Sequence, residues 1–174
     1  FINKDILKYD LTVSETNNRV VGNLPYNIST QIILNLIESS SKIVDMHFLV
    51  QKEVAQKITG NVSTKNWGKL AIKISAFFSS EILFDVSPDA FDIKPKVNSS
   101  FIRLLPKKGL DYDLSIKDNL FKIIDLAFIS RRKNIKNNLK RLNINWVDMN
   151  IDPAKRSEEV NLKDFIRLAR EYVA

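Results

Sequence analysis

The chain is 174 residues long, enough for one well-cored domain or one and a half small ones, and its formal net charge of +7 favours a polyanionic partner. It has no cysteine, which excludes disulfides and thiolate metal sites and fits an intracellular, cytoplasmic setting. No apolar run approaches the ~20 residues that a membrane span requires, so no membrane is expected among its partners; no metal is expected either.

Taken in order, Phe1-Ile2-Asn3-Lys4-Asp5 reads as the end of a strand entered midway, with Asp5 at a turn or cap, so a piece of a longer chain is expected. Residues 19–22 are strand-like and run into Asn23-Leu24-Pro25-Tyr26, which reads as a strand-to-helix turn. That turn holds a carboxamide, a rigid proline and an aromatic face. The combination suits a flat aromatic amine such as adenine, because the amine needs acceptors in its plane and the ring needs something to stack on.

Ser29 is the expected N-cap of a helix in which Ile32, Ile33, Leu36 and Ile37 recur at helical spacing, closed by Ser39-Ser40-Ser41. Residues 43–50 are short, β-rich and mostly apolar, as in a central strand, and the single histidine, His47, reads as a packed strand residue. The charges of residues 51–58 read as a solvated face. Residues 61–68 form a loop, the length of 70–78 permits helix or strand, and 81–86 read as a strand ended by Ser87-Pro88.

Pro106-Lys107-Lys108-Gly109-Leu110 breaks the α/β pattern and divides the chain into 1–108 and a helical part, 109–174. Leu120, Ile123, Ile124, Ala127 and Phe128 give an amphipathic helix. After it, Arg131, Arg132, Lys133, Lys136, Lys140 and Arg141 crowd one turn and the next helix, a pattern that suits RNA phosphates or a solvated basic face. Asn161 is placed to cap a final helix with Asp164 in its first turn and a buried stripe of Leu162, Phe165, Leu168, Ala169 and Tyr172.

Val20-Val21-Gly22-Asn23-Leu24-Pro25-Tyr26-Asn27-Ile28-Ser29-Thr30 closely resembles the fourth motif of the adenine dimethyltransferases that act on ribosomal RNA, the KsgA family and its relatives, the Erm enzymes. The resemblance implies a Rossmann-like class I methyltransferase sheet, its N-terminal strands missing, followed by a small C-terminal helical lobe, with 51–58 and 70–78 as helices. By the same resemblance the Asn23 side-chain oxygen and the Leu24 carbonyl accept hydrogen bonds from the adenine amine, Pro25 fixes the turn, and Tyr26 stacks on the ring. Asp5-Ile6-Leu7 resembles the third motif, which implies that Asp5, with Asn23, binds S-adenosylmethionine; the first strand, Gly-rich turn and ribose-gripping acid would precede it.

Residues 91–104 resemble the eighth motif, implying that Phe91 covers the second face of the adenine; Ile93 and Asn98 depart from the usual Pro and Asp of KsgA proteins. Residues 127–140, with Ala-Phe, two Arg, Lys and Asn-Asn-Leu, resemble a segment specific to KsgA rather than Erm. The resemblance therefore implies dimethylation of two adjacent adenosines near the 3′ end of 16S rRNA, within the small ribosomal subunit or its precursor. The alternatives are a non-catalytic rRNA-binding assembly factor and Erm-like methylation of 23S rRNA.

Overall fold

The computed structural model describes residues 2–12 and 15–171. Its regular elements are β1 (Asn18–Asn23), α1 (Ser29–Asn35), β2 (Ile43–Gln51), α2 (Lys52–Ile58), α3 (Lys69–Phe77), β3 (Phe78–Val86), β4 (Ser99–Pro106), α4 (Lys117–Ala127), α5 (Ile135–Asn138) and α6 (Leu162–Glu171). They fall into two compact units, Phe1–Thr59 with Phe77–Lys108, and Gly60–Ala76 with Gly109–Ala174.

The first unit is built on a four-stranded sheet of order β1-β2-β4-β3, in which β1 and β2 are parallel and β4 runs antiparallel to both its neighbours. The alternation of side chains along a strand decides what each face holds. Met46, Phe48 and Val50 of β2 lie beside Ile102 and Leu104 of β4 in the buried layer. Helix α1 adds Ile32 and Ile33, and the turn after it adds Leu36 and Ile37. Each such side chain, fully buried, contributes about 1.5–3 kcal/mol.

On the opposite face the Arg19 guanidinium makes two hydrogen bonds to the buried Asp45 carboxylate, at 2.7 and 2.8 Å. His47 stacks on Phe101 on this face, at a centroid separation of 6.0 Å, in keeping with a packed strand residue. Two local expectations are corrected. Residues 2–5 are not a strand; they lead into a 3-10 turn, Ile6–Lys8, and Phe1 lies outside the described residues. Ser29 is the first residue of α1 rather than its cap, because it is buried and its hydroxyl donates to the Tyr26 carbonyl at 3.4 Å.

In the second unit, α4 and α6 pack through Leu120, Ile123, Ile124 and Ala127 on one side and Phe165, Leu168 and Ala169 on the other. Asn161 caps α6 as expected, accepting the Asp164 N–H at 2.9 Å; Tyr172 lies outside the described residues. Residues 60–76, which the sequence assigned to the sheet part, group with these helices instead. Polar groups hold them there: the Trp67 indole donates to the Val160 carbonyl at 2.8 Å, Lys73 pairs with Asp125 at 2.9 Å, and the Tyr112 hydroxyl donates to the Ala76 carbonyl. Burial pushes that tyrosine's pKa up to about 12, so it remains a donor at any physiological pH. Gly60 is demanded by close approach, since a Cβ there would sit 2.3 Å from the Asn66 carbonyl oxygen.

The turn after α4 depends on Asn138, whose amide donates to the carbonyls of Ala127 at 2.6 Å and Ser130 at 3.0 Å and accepts the Ser130 N–H at 3.3 Å. Removing this half-buried amide strips the Ser130 N–H of its partner and leaves the Ala127 and Ser130 carbonyls with only the Ser157 hydroxyl and the Lys133 N–H, respectively. Asn138→Ala is therefore expected to lower stability by about 2 kcal/mol in urea denaturation, and Asn138→Asp, which loses both donated bonds, by at least as much. A midpoint unchanged in both variants would show that water replaces the amide freely.

Candidate functional site

Strand β1 ends at Asn23, and the backbone continues its ladder for one more residue: the Leu24 N–H donates to the Leu49 carbonyl at 3.1 Å. Leu24 is buried, so its side chain holds the turn to the core while Asn23 and Pro25 on either side stay exposed. The chain then closes a tight turn, with the Ile28 N–H on the Pro25 carbonyl at 3.2 Å, and enters α1. Neither the Asn23 carboxamide nor the Leu24 carbonyl oxygen has a hydrogen-bond partner among the described residues. Two acceptors at the carboxyl end of a sheet strand are thus left for something outside the fold.

Tyr26 is half-buried, and its hydroxyl lies 2.6 Å from Ser99 Oγ. Ser99 is 0% exposed, so the pair shields one hydrogen bond from water and fixes the plane of the tyrosine ring. Opposite, residues 88–98 bring Phe91 round. The Ser87 hydroxyl accepts the Asp89 N–H at 3.3 Å, the Phe91 N–H reaches the Pro88 carbonyl at 3.2 Å, and Lys94 pairs with Asp89 at 2.8 Å. The last pair ties the loop across Ile93, which is itself 91% exposed.

Asn23, Leu24, Pro25, Tyr26, Phe91, Ile93 and Pro95 line one open cleft of about 300 Å³. The five site residues expected from sequence are therefore brought together, with Ile93 and Pro95 added. Asp5 is not among them. It caps the Ile6–Lys8 turn, accepting the Leu7 N–H at 3.0 Å, and that turn is tied to α1 by the Asn35 amide on the Leu7 carbonyl at 3.2 Å. Sequence reasoning missed Ser99, since a serine opening a strand gives no sign that a tyrosine hydroxyl 73 residues away in sequence will bond to it.

In the second unit, Arg131, Arg132 and Lys133 occupy the turn after α4, Lys136 lies on α5, and Lys140 and Arg141 follow. All six are exposed, and none makes an ion pair among the described residues. Their backbone is nevertheless fixed: Asn134 caps α5 by accepting the Asn137 N–H at 2.9 Å, and Ile135 and Leu139 are buried. The Ile135 N–H also donates to the Lys155 carbonyl at 2.8 Å, and Asn134 and Arg156 form an antiparallel bridge. Lys155 and Arg156, both exposed, thereby join the basic surface, a meeting that separation in sequence concealed. Among the described residues no group of His, Asp and Glu is placed to hold a metal, and no helix is long and apolar enough to cross a membrane.

With this geometry in view, likeness to known proteins is informative. Residues 1–173 match the family model of ribosomal RNA adenine dimethylases. The chain is 38% identical over 170 residues to ribosomal RNA small subunit methyltransferase A of Saccharophagus degradans, covering 95% of this chain and 63% of that protein. It is 40% identical over 164 residues to the protein of the same name from Thiobacillus denitrificans, covering 92% and 64%. The chain thus spans a little under two thirds of the length of these curated relatives.

Two solved structures share the fold. A dimethyladenosine transferase from Plasmodium falciparum superposes with a TM-score of 0.78 at 22% identity, over 94% of this chain and 70% of that one. The 23S rRNA methyltransferase ErmE superposes with a TM-score of 0.70 at 22% identity, over 97% and 70%. The sheet is accordingly of the Rossmann-like methyltransferase type. On the strength of the family model and of relatives matched along almost its whole length, the chain belongs to the ribosomal RNA adenine dimethylase family.

Proposed function

We propose that the protein containing this chain dimethylates the exocyclic amines of two adjacent adenosines near the 3′ end of 16S rRNA, in the small ribosomal subunit or its precursor, using S-adenosylmethionine in the cytoplasm. The observation that carries this reading is the cleft at Asn23–Tyr26, where two oxygens without partners lie beside two aromatic side chains. An adenine seated there stacks between Tyr26 and Phe91 and donates its amine hydrogens to the Asn23 carboxamide oxygen and the Leu24 carbonyl.

Those two acceptors do more than hold the base. The amine is a poor nucleophile because its lone pair is conjugated into the ring; hydrogen bonds directed at its two N–H groups favour a pyramidal nitrogen, and they stabilise the positive charge that builds on it during attack. S-adenosylmethionine, when bound, supplies a methyl group already activated by a sulfonium. Asp5 fits the cofactor's adenine amine as an acceptor, since its carboxylate is exposed and held in place by the Leu7 N–H. Asn23 is the second group of this chain that faces the cofactor in this reading. No side chain that titrates near neutrality is required, and His47 lies in the sheet, away from the cleft lining.

Arg131, Arg132, Lys133, Lys136, Lys140 and Arg141 then attract and orient the rRNA through its phosphates. The same basic surface also supports a non-catalytic assembly factor. Asn23→Ala separates the two readings: methyl transfer falls by about 10²–10³-fold, as for loss of one hydrogen bond to a developing charge, while RNA affinity holds. Unchanged methylation would remove the cleft from the chemistry.

Tyr26→Ala should weaken capture of the base by about 1–3 kcal/mol. Tyr26→Phe keeps the ring but strips Ser99 of its partner, so an intermediate loss in single-turnover methylation is expected; equal losses in the two variants would mean that the hydroxyl, not stacking, matters. Neutralising Arg131, Arg132 and Lys133 together should flatten the dependence of log affinity on log salt by roughly 0.7–0.9 for each phosphate that is no longer neutralised. An unaltered slope would assign those side chains to the fold.

A further inference from the structure

A second cleft, of about 450 Å³, opens on the other side of the loop that carries Phe91. Its lining includes three carboxamides, Gln51, Gln56 and Asn98, none of which has a hydrogen-bond partner among the described residues. The loop acts as a partition. Phe91, Ile93 and Pro95 face the first cleft, whereas Lys96, Val97 and Asn98 face the second. The partition is fixed from behind, where the Lys52 N–H donates to the Asn98 carbonyl at 2.9 Å.

Charge in this cleft is largely cancelled, with one exception. Lys52 pairs with Asp85 at 2.5 Å, and Ser100 Oγ donates to the same carboxylate at 2.6 Å; together they hold the Asp85 carboxyl below the usual carboxylate range. Glu53 pairs with Lys57 at 2.7 Å. Lys96 is exposed and makes no ion pair among the described residues. The cleft thus offers one free cation and three neutral amides that can both donate and accept, the set needed for one phosphodiester and the edge of one base.

Its position relative to the first cleft is equally specific. The two walls meet at consecutive residues, Pro95 and Lys96, whose Cα atoms lie ~3.8 Å apart. Walls formed by consecutive residues make the two clefts adjoin across a single loop, as neighbouring nucleotides of one strand require. A pocket of this size is ample for a nucleotide.

We propose that this second cleft is a nucleotide subsite that holds the neighbour of the target adenosine, with its base edge on Gln51, Gln56 and Asn98 and its phosphate at Lys96. The proposal rests on the reading of the first cleft as the adenine site. Engaging the neighbour while the target is turned into the first cleft splays the strand at the step where the base must leave its stack, and it makes the enzyme sensitive to what flanks its target.

The test uses the full-length protein and a fluorescein-labelled single-stranded RNA hexamer containing two adjacent adenosines, with matched hexamers abasic at the target or at the neighbour. Gln56→Ala/Asn98→Ala is expected to weaken binding of the intact hexamer about tenfold, and to change binding of the neighbour-abasic hexamer little. Lys96→Ala should lower the salt slope by about 0.7 on all three RNAs, as for one phosphate neutralised on a single strand. Equal losses by the double variant on intact and neighbour-abasic RNA, or no loss on either, overturn the subsite. Tyr26→Ala serves as the control for the first cleft. If its loss is the same on intact and target-abasic RNA, the adenine reading fails, whereas a dependence of the double variant on the neighbour base still marks the second cleft as a nucleotide site.

Discussion

The hydrogen bond between the Tyr26 hydroxyl and Ser99 Oγ, 2.6 Å long, is the constraint from which the rest of the site follows. It joins the turn after β1 to the first residue of β4, although β2 lies between those strands in the sheet. Tyr26 therefore reaches across the carboxyl end of β2, where Gln51 is paired with Ser99. Ser99 is wholly buried, and a buried hydroxyl without a partner costs about 1–3 kcal/mol, so the bond is a condition of the fold as well as of the site. The antiparallel return of β4 matters for the same reason: it brings the 88–98 loop, and with it Phe91, to the end of the sheet where β1 delivers Asn23.

What β1 delivers is a pair of acceptors that the fold does not use. A sheet strand ordinarily consumes its own carbonyls, but the turn at Pro25 leads the chain away from β2 immediately after the Leu24 N–H has been satisfied by Leu49. Proline cannot donate to the ladder, and this assists the departure. Both residues line the open cleft, which makes these free oxygens tolerable, since water solvates them until a better donor arrives. Preorganisation follows from anchoring on both sides, by buried Leu24 before the turn and buried Ser29 after it. Acceptors held in this way need no reorganisation when positive charge develops near them.

Much of this was legible in the sequence, and the boundary of what was legible has physical causes. Local patterns carried α1, β2, α4 and α6, because helical and strand periodicities are properties of short windows. The four-residue turn at 23–26 and Phe91 were legible through resemblance, and they do meet in one cleft. Residues 60–76 were misplaced because their allegiance is set by long-range polar contacts, such as Trp67 with Val160 over 93 positions, which no window contains. The same holds for Ser99, Lys155 and Arg156. Ser29 failed as a cap for a different reason: serine after a turn is a good cap in general, but here the helix begins one residue earlier and buries it.

The placement of charge fits the proposed function, in which a basic protein handles a base selectively. Around the sheet, four cations are matched with acids, Arg19 with Asp45, Lys52 with Asp85, Lys94 with Asp89 and Arg103 with Glu81, whereas Lys96 makes no ion pair among the described residues. The cleft at Asn23 is lined by uncharged residues alone. Residues 131–141 carry the reverse arrangement, with six exposed cations and no acid in the segment. Phosphates are the same in every sequence, so unpaired lysine and arginine supply affinity that does not discriminate between bases. In the proposed function, discrimination falls to neutral acceptors and aromatic faces, and a cation there would oppose the positive charge that an attacking amine acquires. In the proposed function, pairing most of the charges near the cleft and leaving them free on the 131–141 surface gives both properties to one chain without either weakening the other.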